Sequence, residues 1–283
     1  LGIDGISRSE VSRICKVLDE EVRTFLGRPI ESPCPYLWLD ATFHKVREAG
    51  RVISVATVVA IGVTATGERT ILGAATGLSE DHQFWVSFLR SLVKRGLSDV
   101  RLVISDAHEG LRGAIAKILH EATWQRCRVH FMRNLLSTVP KTAQDRVAAI
   151  VRTVFAQPDH ASAMVQLQEV AALLSPRFPQ AAELLQDAAE DVLAHLHFPS
   201  EHRRRLHSTN PIERLHKEVK RRTRVVGIFP TRDSLMRMVG TLLAEQDDEW
   251  QVADRRYFSV ASMTKVDELD GGEDPKELLA QIA

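Results

Sequence analysis

Between Tyr36 and Gly77 the chain carries three β-rich runs, Tyr36 to Thr42, Val52 to Val63 and Arg69 to Gly77, broken by Glu48-Ala49-Gly50 and Thr66-Gly67-Glu68. Separators this short, containing glycine and polar residues, suit hairpin turns, so the runs read as an antiparallel meander. The period then changes. A helix is expected from Asp81 to Lys94, with Phe84, Trp85, Phe88, Leu89 and Leu92 on its apolar face. Val100 to Ser105 is a short continuous apolar run, the composition of a strand covered on both sides. A helix from about Glu109 to Glu121 and a strand at Thr123 to Arg128 follow. Three antiparallel strands, then alternating helices and strands, specify a mixed α/β sheet.

The flanks differ from this centre. Ser7-Arg8-Ser9-Glu10 has the form of a capping box. Behind it Val11, Ile14, Cys15, Leu18, Val22 and Phe25 recur at helical spacing to about Leu26, either as a lone packing helix or as the second helix of a helix-turn-helix. Three prolines between Arg28 and Pro35 mark a linker. From Thr138 to His197 the pattern is helical throughout, with no added strand, and reads as an all-helical insertion. A long helix is expected from Pro211, with Asn210 as its N-cap, and a further one over Leu235 to Ala244. The expected division is residues 1–30, 36–137, 138–200 and 201–283, the second and last forming one α/β unit.

At 283 residues the chain can bury a substantial core. It has no apolar stretch of the 18 or more residues a membrane-spanning helix needs, so no membrane partner is expected. Cys15, Cys34 and Cys127 are odd in number and widely spaced, which is no disulfide framework and suits a cytoplasmic setting. Formal net charge is zero, but charge is segregated: Glu201 to Arg232 holds ten Lys or Arg against three Glu. A local basic strip of this kind can bind phosphates in a neutral chain.

Asp40 lies in Tyr36-Leu-Trp-Leu-Asp-Ala-Thr, a carboxylate in an apolar strand, which is costly unless paired or metal-bound. Asp106 closes Leu102-Val-Ile-Ser-Asp, at the carboxyl end of an apparent parallel strand, where α/β sheets place ligands; a helix N-cap is the plainer alternative. Glu213 falls in the first turn after Asn210-Pro211, where the helix dipole alone favours an acid, and Glu218 is a second carboxylate on the same helix. Spacing does not choose between them. Three acids without a completed Cys or His cluster suit Mg²⁺ or Mn²⁺, and two such ions roughly 4 Å apart support in-line phosphoryl displacement. Lys217, Lys220, Arg221, Arg222 and Arg224 follow Glu213, and Lys217, Lys220 and Arg224 continue its face, as a phosphate track would. Cys127-Arg-Val-His130 supplies two ligands, half a zinc site, and a structural role or DNA contact fits it better.

Four segments, Tyr36-Leu-Trp-Leu-Asp-Ala-Thr, Ile104-Ser-Asp-Ala-His-Glu-Gly-Leu, Trp124-Gln-Arg-Cys-Arg-Val-His and Thr209-Asn-Pro-Ile-Glu-Arg-Leu-His-Lys-Glu-Val-Lys-Arg-Arg-Thr-Arg-Val-Val-Gly-Ile-Phe-Pro, taken in this order, resemble the Mutator-type transposases of bacterial insertion sequences. The resemblance implies a ribonuclease-H-like fold interrupted by a helical insertion, and a DDE catalytic triad carried onto Asp40, Asp106 and Glu213 with Mg²⁺ or Mn²⁺. It also implies that Cys127 and His130 form the family's Cys-x-x-His signature. The implied partners are double-stranded DNA, as terminal inverted repeats and target, and a second copy of the chain in a nucleoid-associated homodimer. A region preceding the Ser7 to Leu26 helix would recognise the terminal repeats. A hydrolysis-only nuclease and an inactive DNA-binding module are the alternatives.

Overall fold

The computed structural model describes residues 5–268. Helix α1 (Arg8–Gly27) starts at Ser7, whose hydroxyl accepts from the Glu10 amide at 3.2 Å. Only this half of the expected capping box forms, because the Glu10 carboxylate turns to Arg13 at 3.3 Å. The C-terminal half of α1 packs on helix α11 (Arg232–Gln251), where Gly240 admits the Val22 side chain. A Cβ at position 240 would lie 2.3 Å from Val22 Cγ1, closer than van der Waals contact allows. The Arg237 guanidinium closes the same contact on Asp19 at 2.7 Å.

The meander forms as strands β1 (Tyr36–Glu48), β2 (Arg51–Val63) and β3 (Arg69–Gly77), all antiparallel. β1 runs six residues past Thr42, to Glu48, because Thr42, His44 and Val46 alternate inward while Phe43, Lys45 and Arg47 face solvent. Ala49 (φ 47°) and Gly50 (φ 76°) make the two-residue turn, both in the left-handed region that matches strand twist in a hairpin. After helix α2 (His82–Lys94), capped by Asp81, come β4 (Leu102–Ser105), α3 (Glu109–Ile118) and β5 (Thr123–Arg126). α3 stops three residues short of the expected end, and Arg128 belongs to the next helix, not to β5. β4 pairs parallel to β1, and β5 parallel to β4, giving the order β3-β2-β1-β4-β5.

Alternation along β1 divides the core. Leu37 and Leu39 face α2 and α3 in one cluster, with Trp85, Leu89, Leu111 and Ile115. Tyr36 and Trp38 face the opposite layer, where Ile212, Leu215, Leu235 and Val239 pack. A third apolar cluster lies wholly in the helical block. That block comprises α4 (Arg128–Ser137), α5 (Lys141–Val154), α6 (His160–Leu174), α7 (Pro179–Asp187), α8 (Ala189–Leu193), a 3-10 turn (Ala194–His197) and α9 (Ser200–Leu206). Its ends meet: the Arg128 amide donates to the His207 carbonyl at 2.9 Å. The chain then returns to the sheet through α10 (Asn210–Val226), the two-residue strand β6 (Ile228–Phe229), α11 and α12 (Val260–Asp267). No helix among the described residues is long and apolar enough to cross a membrane.

One edge of β1 is shared. β4 pairs with it at Tyr36–Trp38 and β6, also parallel, at Lys45–Val46. Among the described residues no ladder joins positions 39–44 on that side. Asp40 stands in this gap.

Candidate active site

The gap on β1 opens into a cleft of about 790 Å³ lined by Asp40, Glu80, Asp106, His130 and Glu213. Asp106 follows directly on β4, so the parallel pairing carries both aspartates to the carboxyl ends of neighbouring strands. Burial pushes the Asp106 carboxyl above the ordinary carboxylate range, and the charge of Asp40 pushes it further. Burial raises Glu80 as well, with Asp106 and Asp40 adding to the effect. Asp40 is held by α10: His216 Nδ1 lies 3.1 Å from Asp40 Oδ2. An ionised carboxylate only accepts, so the ring nitrogen donates.

Glu213 reaches the cleft from the first turn of α10. The cap of this helix is Thr209, not Asn210, and Thr209 makes no capping bond with its side chain. The Thr209 hydroxyl is diverted: it lies 3.3 Å from both Cys127 Sγ and Glu213 Oε1. The Thr209 amide donates to the same sulfur at 3.4 Å. Glu213 Oε1 is also 3.7 Å from His130 Nε2. The fully buried Cys127 therefore ties the start of α10 to the end of β5. Burial pushes its thiol up, but hydrogen bonds from His130 and Thr209 outweigh that and hold it below the ordinary value. The same bond from Cys127, against burial, raises His130 to about 8.

Glu218 is placed differently. Arg221 at 2.7 Å and Arg222 at 3.1 Å grip its carboxylate, and these two arginines hold it down to about 2. Glu218 also lines the cleft, but its oxygens are committed to cations of the protein, whereas Glu213 has one oxygen against Thr209 and His130. Lys217, Lys220, Arg221 and Arg224 line the cleft beyond Glu213; Arg222 does not, and turns to Glu218 and, at 3.8 Å, Glu245. Glu80, Arg133, Thr209 and His216 are additions that the sequence does not announce. The spacing Glu213-x-x-His216 is the one visible signal, since residues three apart share a helix face.

The donor set fits a hard divalent cation. Asp40, Asp106, Glu80 and Glu213 offer oxygen ligands, and the half-buried carboxyls of Asp106 and Glu80 lack a guanidinium or ammonium partner among the described residues. A cation would remove the repulsion that raises Asp106. Cys127, His130 and Glu213 also bring one ligand atom each within 4.8 Å of one another, but the sulfur is already an acceptor for Thr209.

The sequence of residues 1–253 matches the family described as Transposase, Mutator family. The chain belongs to the Mutator family of transposases. This Mutator-family chain is 46% identical over 266 residues to the transposase for insertion sequence element IS1081 of Mycobacterium tuberculosis, across 94% of its own length and 64% of that protein's. It is 42% identical over 246 residues to the transposase for insertion sequence element IS406 of Burkholderia multivorans, across 87% of its length and 63% of that protein's. It thus spans a little under two-thirds of these relatives. Among solved structures it resembles a chain of the Drosophila P element transposase strand transfer complex, at 12% identity and a TM-score of 0.33 over 94% of this chain and 79% of that one.

Proposed function

We propose that the chain is the catalytic core of an insertion-sequence transposase, cutting and joining DNA by DDE chemistry with Asp40, Asp106 and Glu213 as the ligands of Mg²⁺ or Mn²⁺, two ions in the complete site. The observation that carries this reading is the meeting of three acids, distant in sequence, in a cleft whose wall continues as Lys217, Lys220, Arg221 and Arg224. In this reading the sheet is of ribonuclease-H-like type, residues 36–137 and 201–283 forming one unit, 138–200 an insertion, and 1–30 the end of an N-terminal DNA-binding region.

The protein's own groups divide the work. The basic row holds backbone phosphates. The His216 ring orients the Asp40 carboxylate, and Thr209 with His130 fixes Glu213 against the strand ends. When bound, the divalent ions supply Lewis-acid stabilisation of charge developing on the phosphoryl oxygens. Hydrolysis at an element end frees a 3′-hydroxyl, and attack by that hydroxyl on target DNA exchanges one phosphodiester for another. Two ends must be brought together, which calls for a homodimer on double-stranded DNA, in the nucleoid of a bacterial cytoplasm.

The test is a strand-transfer reaction in Mg²⁺ on labelled duplexes bearing pre-cut 3′-hydroxyl ends from the element. Joined products that vanish in Asp40→Asn and Asp106→Asn establish the reading. Shortened strands without joining make the chain a nuclease, and binding without either makes it a DNA-binding module; both overturn it.

A further inference from the structure

Arg69, Arg204, Arg205 and Arg214 converge on a second depression of about 660 Å³, floored by Tyr257. No carboxylate residue lines it among the described residues. Other arginines of this chain find acids: Arg28 meets Asp247 at 2.6 Å, Arg232 meets Glu48 at 2.6 Å, and Arg256 meets Glu68 at 3.4 Å. The side chains of the four in the depression have no ion pair or hydrogen bond among the described residues. Two of their planes are nonetheless fixed. The Arg69 guanidinium carbon lies 3.6 Å from the Trp250 ring centroid and 4.9 Å from that of Tyr257. That of Arg205 lies 4.6 Å from Tyr257.

Stacking occupies the faces of a guanidinium and leaves its edge, with its N–H donors, for a ligand. Arg69 Nε is buried without any partner. Burial, with the charges of Arg205 and Arg214, pulls Arg69 below the usual guanidinium value, so the cluster repels itself until something anionic enters. A planar fork with free edges matches phosphate oxygens better than a spherical anion. Position narrows the ligand further. Arg214 lines this depression and the carboxylate cleft alike, and it sits beside Glu213 at the start of α10.

We propose that this depression is a second phosphate-binding site, which holds the DNA backbone flanking the reacting phosphodiester, on the side of Glu213 away from the Lys217–Arg224 row. The site rests on the reading of the chain as a DNA-processing enzyme, and adds to it a place where the strand leaves the cleft. Arg214 hands the backbone from one depression to the other.

The deciding measurement is fluorescence anisotropy of a short labelled random-sequence duplex, in metal-free buffer over a series of KCl concentrations, with melting temperatures taken in parallel. Arg204→Gln with Arg205→Gln is the test variant, since both side chains are exposed and make no hydrogen bond in the fold. Arg152→Gln, on the exposed face of α5, controls for the removal of a positive charge. The double variant is expected to bind about tenfold or more weakly, with the slope of log K against log salt reduced by about 1.8, or 0.9 for each phosphate no longer neutralised. Its melting temperature stays within about 3 °C of wild type, the lost stacking of Arg205 on Tyr257 and the relieved repulsion opposing each other, and Arg152→Gln matches wild type throughout. Affinity and slope in the double variant equal to those of Arg152→Gln would overturn the second site alone. A folded wild type that fails to bind the duplex overturns the DNA reading with it.

Discussion

Among the described residues, two clusters bring three metal-ligating side chains within 4.8 Å of one another: Cys127, His130 and Glu213 at the cleft, and His160, Glu190 and His197 on the helical block. By ligand count they are equal. In the second, the His160 and His197 rings stack with centroids 4.1 Å apart, and Glu190 Oε2 lies 3.2 Å from His160 Nε2. These groups satisfy one another at the surface, with Glu190 and His197 exposed. In the first, Glu213 faces half-buried acids with no guanidinium or ammonium partner among the described residues, and a basic row leads away from them. What distinguishes a site is the unbalanced charge around the donors and the means of holding a substrate, not the donors themselves.

The contrast is tested hardest by removing each set in turn. Asp40→Asn or Asp106→Asn is expected to lower Mg²⁺-dependent strand transfer on the order of a thousandfold or more, whereas His160→Ala with His197→Ala leaves it within about twofold. A large loss in the histidine pair, with an intact melting temperature, would erase the distinction. Cys127→Ala comes next, with a loss of about 10- to 100-fold, because it frees Thr209 and lets Glu213 drift. Cys127→Ser, which keeps an acceptor for Thr209, should recover part of that rate.

A third outcome has the opposite sign for stability. Without metal, Asp106→Asn removes a carboxylate raised by burial and by Asp40, and its melting temperature should rise by about 2–4 °C for each kcal/mol of relieved repulsion. Mg²⁺ should stabilise the wild type and not the variant. The helical block's histidines, by contrast, belong to folding. His195, whose Nδ1 is 2.9 Å from Gln125 Oε1 at the foot of β5, is held by burial, and then by the charge of His207, down to about 3. The unfolded chain takes up this proton near pH 6.5 and the folded chain does not. Stability is therefore complete above about pH 6.5 and lost as pH falls towards 3, a slope that melting curves of His195→Asn should show flattened. The smallest effect is Glu218→Gln, within about twofold in strand transfer, since that carboxylate, though it lines the cleft, is already held by the exposed Arg221 and Arg222.

Much of this is legible in the sequence, and the reasons are local. An acid closing an apolar run, as at Asp40 and Asp106, is conspicuous because nothing else in the run tolerates charge. The meander and the parallel strands follow from period and turn composition. Glu213 is less distinct, since any helix welcomes an acid in its first turn, and its separation from Glu218 needs Arg221 and Arg222 in place. His216 and Glu80 carry no such local mark because their roles depend on partners far along the chain: His216 meets Asp40 across 176 positions. The cap of α10 differs from the expected Asn210 for the same reason. Thr209 stands at the cap, and its hydroxyl turns to Cys127, 82 positions away, and to Glu213 instead of a helix amide.

The bond between the Arg128 amide and the His207 carbonyl closes the helical block at its base, where the chain leaves the sheet and returns to it at neighbouring positions. Segments of the block away from that junction, and away from Val192 and His195 on Gln125, can be lengthened or trimmed at little entropic cost, as insertions with neighbouring ends generally can. Changes of length there leave the geometry of Glu213 fixed by the clasp at its base.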